Sequence, residues 1–311
     1  MKHDLFRKHI FIMKTFLLVT AWILAFSLNA KQLDLKKVSD GSNWIMHMDF
    51  ESMRSSEIGV FIEDAYENIP EVQSKIMKVQ EKYGLDLMNT SSLSMFGSGE
   101  KHKGIGILEG GVDASIVNRF AQSKDSIESS KMGKNIIFSS QKGRRPMAFT
   151  ALKNGKMIFG PDQDYVSEGI FLAKGKGNGS PGHPILNSLN GLLADPGFLL
   201  FANVKGAMEV ADLDERVRFM VEKVDAAGVV VGDHDGGLKI IGLVQTDSIE
   251  SSEPMENMIR GGLAMMDMKI SNNSDMSKLF KGYQVTRTDE LIRVEIELSN
   301  SFLIERIKRE M

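Results

Sequence analysis

The chain contains no cysteine, so its fold cannot rest on a disulfide framework and no lipid can be attached at a lipobox cysteine. Positive charge does not dominate either. The 38 Lys and Arg stand against 41 Asp and Glu, a net of −3, and the basic footprint of a nucleic-acid-binding protein is missing. Charges alternate in sign along the chain instead of forming blocks, as on an ordinary solvated surface. No apolar run reaches the about 20 residues that a membrane-spanning helix needs. Also absent are the G-x-S-x-G nucleophile elbow, the H-E-x-x-H zinc pair and the Walker phosphate loop.

The longest apolar run, Phe16 to Leu28, follows Lys14 and ends at Leu28-Asn29-Ala30. A basic start, an apolar middle and a small residue before the cut are the order of a secretory signal, here cleaved before Lys31. Met13 is an alternative start codon to Met1. A retained anchor and a buried N-terminal helix are the competing readings. The leader carries four basic residues against one acidic, which leaves the rest of the chain at −6. Export places the protein in a bacterial periplasm or medium, and without its leader it is not expected to be an integral membrane protein. The rest is long enough to bury its own core without a staple.

Glycine and proline dominate Lys174 to Pro184, and no apolar side chain interrupts that stretch. The expected organisation is therefore a signal peptide (1–30), a first repeat (31–173), a Gly/Pro-rich linker (174–185) and a second repeat (186–311). Each repeat opens with an apolar strand, Trp44–Phe50 or Phe198–Val204, and continues with an amphipathic helix near Pro70–Lys82 or Asp214–Val224. A hairpin signal follows at 94–108 or 229–243, with Gly and Asp at the turns. A second helix comes next, capped by Asp113 with a stripe of Ile116, Val117, Phe120 and Ile127. In the second repeat it is capped by Asp247 or Ser248, with Ile249, Met255, Ile259, Leu263 and Met266. Closing strands are expected at 136–138, 147–152 and 156–159, with Asn154-Gly155 as a turn, and at 283–286 and 291–298. Final helices are expected at 162–172 and 301–309. The fold class is α+β: two tandem divergent repeats, mostly antiparallel sheets with helices packed on one face.

Asp49-Phe50-Glu51-Ser52-Met53-Arg54-Ser55-Ser56-Glu57-Ile58-Gly59 stands directly behind the first apolar strand. That motif and the repeat layout resemble a group of uncharacterised exported proteins of environmental bacteria. The resemblance implies export and an α+β duplication, and it carries over no functional residue.

Several local patterns invite a chemical reading. Gly177 to Gly182 matches G-x-G-x-x-G, but a dinucleotide loop needs a strand before it and a helix opening at its end, and here Pro184 follows. Ser139 to Lys142 matches S-x-x-K without its partner motifs. Asp233-His234-Asp235 is the one acid–base constellation, and its alternative is a polar hairpin turn. Met46-His47-Met48 has soft-metal ligands, but alternation on a strand sends His47 to one side and both methionines to the other. Trp44, Met46, Met48 and Phe50 then share a face and read as core. His102 and His183 fall in a turn and in the linker.

Eighteen methionines follow the leader, with Met255, Met258, Met265, Met266 and Met268 on one helix that also carries Gly261-Gly262. Core packing around close-packed glycines is the first reading, and an adaptable partner groove along Met255–Met268 the second. Lys142 to Pro146 is the only compact basic cluster, a solvated turn or a contact for an anionic surface.

No catalytic set can be assembled, and no cofactor or metal is expected. The function expected is an exported, non-catalytic binding or interaction module of the cell envelope, partnered by an unknown protein or envelope component. The alternatives are a periplasmic hydrolase using Asp233, His234 and Asp235 in the 232–237 loop, and a carrier of a small apolar ligand.

Overall fold

The structure, a computed structural model, describes residues 33–140, 146–177, 182–210, 215, 218, 221–271 and 274–310. The leader, most of the basic cluster and Asn178–Pro181 lie outside the described residues.

The strands are β1 (Trp44–Asp49), β2 (Leu85–Gly97), β3 (Ile105–Val112), β4 (Glu128–Met132), β5 (Asn135–Ser140), β6 (Met147–Leu152) and β7 (Lys156–Gly160), then β8 (Pro196–Asn203), β9 (Val224–His234), β10 (Gly237–Thr246), β11 (Phe280–Thr288) and β12 (Leu291–Ser299). The helices are α1 (Phe50–Arg54), α2 (Glu57–Asn68), α3 (Pro70–Tyr83), α4 (Ala114–Gln122) and α5 (Gln163–Leu172), then α6 (Pro184–Leu192), α7 (Val204–Val210), α8 (Ile249–Ser271), α9 (Ser274–Leu279) and α10 (Asn300–Glu310). Among the described residues all twelve strands join one antiparallel sheet in the order β11-β12-β10-β9-β8-β1-β2-β3-β7-β6-β5-β4.

The same connectivity occurs on both sides of the central β1–β8 pair. Outward from β1 run β2, β3, β7 and β6; outward from β8 run β9, β10, β12 and β11. The first side adds the β4–β5 hairpin at its edge. Ile45 stands opposite Phe96 on β2 and Phe201 on β8, so the β1–β8 pair joins the two sides into one sheet.

Local chemistry explains the element ends. The motif at 49–59 is two helix starts in succession: Asp49 accepts from the Ser52 amide at 2.8 Å and Ser56 from the Gly59 amide at 3.0 Å. Arg54 donates to the Thr90 carbonyl on β2 at 2.8 Å, tying the end of α1 to the sheet. Asp113 caps α4 as expected, accepting from the amides of Ser115 and Ile116. Gly84 ends α3 at φ 69°, a left-handed position that favours glycine. Asp235-Gly236, at φ 49° and 67°, closes the β9–β10 hairpin in two residues, so the turn is tighter than the 232–237 span expected. Gly155 at φ 76° turns β6 into β7 as its Asn-Gly signal indicates.

Helices lie on both faces of the sheet instead of on one. Directly opposed residues share a face, and the first face carries Ile45, Phe96, Ile107, Ile158, Phe201, Val230 and Ile241, packed under α5 and α6. On the second face α1, α2 and α10 cover Phe198, and α4 covers Leu108, Phe149 and Phe159. A twelve-stranded sheet of mostly apolar strands exposes too much surface for one layer of helices to bury.

Other expectations need correction. Trp44, Met46 and Met48 are only half-buried, while Ile45, His47 and Asp49 form the buried side of β1. Much of the helix expected near Asp214–Val224 lies outside the described residues, and its last expected residue, Val224, opens β9. Ile127 lies beyond α4, though it packs in the same cluster. Among the elements without a counterpart in the sequence reading are the polar edge strand β4 and the helices α6 and α9. Pro184 starts α6 at its first turn, His183 caps it, and Ile185, Leu186 and Leu189 are core. Gly261 and Gly262 face open space. Among the methionines of α8, Met255 and Met266 are half-buried and Met258, Met265 and Met268 are exposed.

Candidate functional site

Trp44, Met95, Gly106 and Phe159 form the floor of a cavity of about 480 Å3 on the second face, where β1, β2, β3 and β7 lie side by side. Glycines build this floor. A Cβ on Gly97 or Gly104 would sit 3.1 Å from the Trp44 indole, and one on Gly106 would sit 2.2 Å from the Phe159 ring. The two aromatic rings therefore rest on bare backbone, where any larger residue would lift them off the sheet.

The walls are also apolar. Pro146, Met147 and Pro161 close one side, with the end of β5 at Ser140 beside them. The loop between β2 and β3 supplies the polar rim with Glu100, His102 and Lys103. His102 sits at φ 64°, a turn position. Glu100 binds Lys103 at 2.6 Å, and this contact raises the Lys103 pKa above the ordinary lysine value. The rim is therefore charged but internally balanced.

The apolar surface continues beyond the cavity along one row of directly opposed residues: Phe159, Gly106, Met95, Met46 and Leu200. Leu200 is 39% exposed although β8 is a central strand. Interior strands normally bury such a side chain, and burial of a leucine stabilises by roughly 1.5–3 kcal/mol. A flexible thioether–aromatic surface of this kind adapts to an apolar partner.

The residues singled out as catalytic candidates do not converge. Asp233 points to one face, where its carboxylate accepts from Asn300 Nδ2 at 2.7 Å. His234 is on the other side of the strand and pairs with the exposed Asp235 at 3.4 Å. His234 and Asp235 border a depression of only about 70 Å3, shared with Lys281 and Glu297. This holds little more than a couple of waters, at about 30 Å3 each. Among the described residues no group of three or more His, Cys, Asp or Glu could hold a metal ion.

His47 accounts for part of a polar row on the first face. It is 7% exposed and its Nδ1 is 2.9 Å from Ser94 Oγ. Further along, Glu109 accepts from Lys37 at 3.0 Å and from Lys156, which also donates to the Ala173 carbonyl at 3.1 Å. Burial pushes the Glu109 pKa up, but the hydrogen bonds and charges of Lys156 and Lys37 outweigh it and hold the carboxyl below its ordinary value. The cluster fastens the 3-10 turn Leu35–Lys37 and the end of α5 to the sheet. His183 packs at 5.3 Å from the Phe201 ring, and burial lowers its pKa despite the opposing charge of Asp225.

Sequence reading did not find the cavity. Its floor comes from four strands far apart in the chain, and the only signal was the spacing of Gly97, Gly104 and Gly106 around an aromatic strand. The fold and cavity define an α+β protein with a single broad antiparallel sheet and an apolar site on it. No protein-family model and no curated protein matches the chain. Among solved structures it is similar to TP0453, a Treponema protein, in three crystal forms. Form III gives a TM-score of 0.49 at 10% identity, covering 89% of this chain and 98% of that one. Form I gives 0.49 at 10%, over 90% and 98%, and form IV 0.48 at 10%, over 90% and 97%. No helix among the described residues is long and apolar enough to cross a membrane.

Proposed function

We propose that the chain is an exported, non-catalytic binding module of the bacterial envelope, and that the Trp44–Phe159 cavity is where it takes an apolar ligand or an apolar segment of a partner. The observation that carries this is a concave, mostly apolar site on a sheet face, floored by aromatic rings that glycines admit. The secretory pattern of residues 14–30 supports export to the periplasm or medium, and an N-terminus at Lys31 in the secreted chain is the mass-spectrometric result expected. The cavity is open to solvent, which favours a binding surface over an enclosed carrier. The separation of Asp233 from His234 counts against the hydrolase reading.

Trp44 is the sole tryptophan after the leader, so it reports directly on its own site. Titrating the exported chain with a brominated long-chain fatty acid should quench its fluorescence saturably. Met147→Asp, at an exposed wall position, should weaken the apparent affinity about tenfold, the equivalent of 1.4 kcal/mol. Quenching that does not saturate, or that Met147→Asp leaves unchanged, would remove the cavity from consideration.

A further inference from the structure

The Trp44 cavity has a counterpart in the other half of the sheet. Strands β1 and β8 pair about a centre at Met46 opposite Leu200, with Trp44 opposite Ala202 and Met48 opposite Phe198. A half-turn about that centre carries Trp44 onto Phe198. The caps behind the two strands obey the same relation: Asp49 accepts from the Ser52 amide, and Asn203 accepts from the Gly206 amide at 3.0 Å. The ladders then place Met95 on Val229, Gly106 on Gly242 and Phe159 on Val294. Gly97 falls on Val231, and Gly104, one residue before β3, falls on Ile240.

What covers the two places differs. Helices α5 and α10 follow equivalent strands, β7 and β12. Helix α10 turns onto the second face, where Leu303, Ile304 and Ile307 pack with Phe198. Its first residue, Asn300, is fastened to Asp233 at 2.7 Å. Helix α5 turns onto the first face instead. A Cβ on its Gly169 would sit 2.5 Å from Ile158 and 2.9 Å from Ile105, so the helix lies close against the sheet there. The place over Trp44 that corresponds to α10 is left as the cavity. Glycines at 97 and 104 deepen it where Val231 and Ile240 fill the other half.

We infer that the cavity receives an amphipathic helix of another protein, seated as α10 is seated over Phe198. This rests on reading the cavity as a binding site and names the class of partner that enters it. Helix α10 supplies the pattern: Leu303, Ile304 and Ile307 face inward, while Glu305, Lys308 and Arg309 are exposed. Recognition of a helix in a groove uses such an i, i+1, i+4 set of apolar anchors. The 11 residues of α10 span about 16 Å. The apolar row from Phe159 to Leu200 crosses four strand spacings, about 19 Å, so it accommodates a helix of about three turns. Glu100 and Lys103 on the rim neutralise each other, so the apolar stripe selects the partner and net charge does not.

The probe is a capped peptide of residues 299–310 carrying Arg309→Lys, with a lactam from that position to Glu305. The lactam joins two exposed positions one turn apart and holds a helix that so short a segment would not hold alone. The peptide has no tryptophan, so Trp44 reports the binding. Titrated into the exported chain, it should shift Trp44 emission to shorter wavelength and saturate. Met147→Asp in the protein should weaken the binding at least tenfold, and so should Ile304→Asp in the peptide. A shift that either change leaves as it was would overturn the inference. The brominated fatty acid, run in parallel, separates the two readings of the cavity. Saturable quenching by the fatty acid with no response to the peptide would keep the cavity as a binding site and reject the helix. No response to either probe would reject both.

Discussion

A single hydrogen atom decides the cavity floor at Gly106. An alanine there would place its Cβ 2.2 Å from the Phe159 ring, far inside van der Waals contact. Overpacking of this kind typically costs 1–3 kcal/mol. Gly106→Ala should therefore lower the melting temperature by several degrees and shift Trp44 emission, because Trp44 shares the floor. An unchanged melting temperature would mean that the ring swings away freely. Gly261 and Gly262 carry the opposite lesson. Glycine in a helix implied close packing, yet both face solvent. The residue type announces conformational or steric freedom without saying which side uses it.

The ion cluster of Glu109, Lys37 and Lys156 is an element-scale fastening, because it joins β3, the 3-10 turn and the end of α5. Its folded-state carboxyl pKa lies below the unfolded value. A depressed carboxylate contributes stability that is complete above the unfolded pKa and is lost as pH falls through the folded one. Thermal unfolding of the wild type should therefore lose ground on acidification below about pH 4.3, the ordinary glutamate value. Glu109→Gln should be less stable at neutral pH by about 2 kcal/mol, since it leaves two half-buried ammonium groups without a counter-charge. Part of that difference should close in acid. Equal pH dependence of the two proteins would assign the acid lability elsewhere.

At this scale the sequence was informative where chemistry is local. Caps at Asp113, the Asn154-Gly155 turn and the alternating strand Leu291–Leu298 all lie as their residues indicate. The strand phase of Trp44–Asp49 did not, because the buried side is the more polar one: His47 is paired with Ser94 and Asp49 caps α1, so the apolar alternation pointed to the other face. The strand Glu128–Met132 was silent for a related reason. It pairs only with β5 at the sheet edge, so its side chains need no apolar pattern. The cavity was silent because its floor assembles from contacts between distant strands.

Over the whole molecule, the pair β1–β8 holds the two similarly connected sides together, from Trp44 opposite Ala202 to Met48 opposite Phe198. A fragment ending at residue 193 would keep β1 through β7 but leave one edge of β1 unpaired. That edge is apolar and lies mid-sheet, where the devices that protect natural edges are missing. The fragment is expected to aggregate or to pair with itself, while the whole chain stays dispersed in the same buffer. A monomeric, folded fragment would show that the first side is self-sufficient.

The placement of β8 also imposes an order of events on a polypeptide threaded N-terminus first. Strand β1 emerges early, yet its second neighbour arrives only after roughly 150 more residues have passed. During that interval a sticky rim waits uncovered. Slow emergence of the chain would prolong the hazard, and a chaperone that grips extended apolar segments would shorten it.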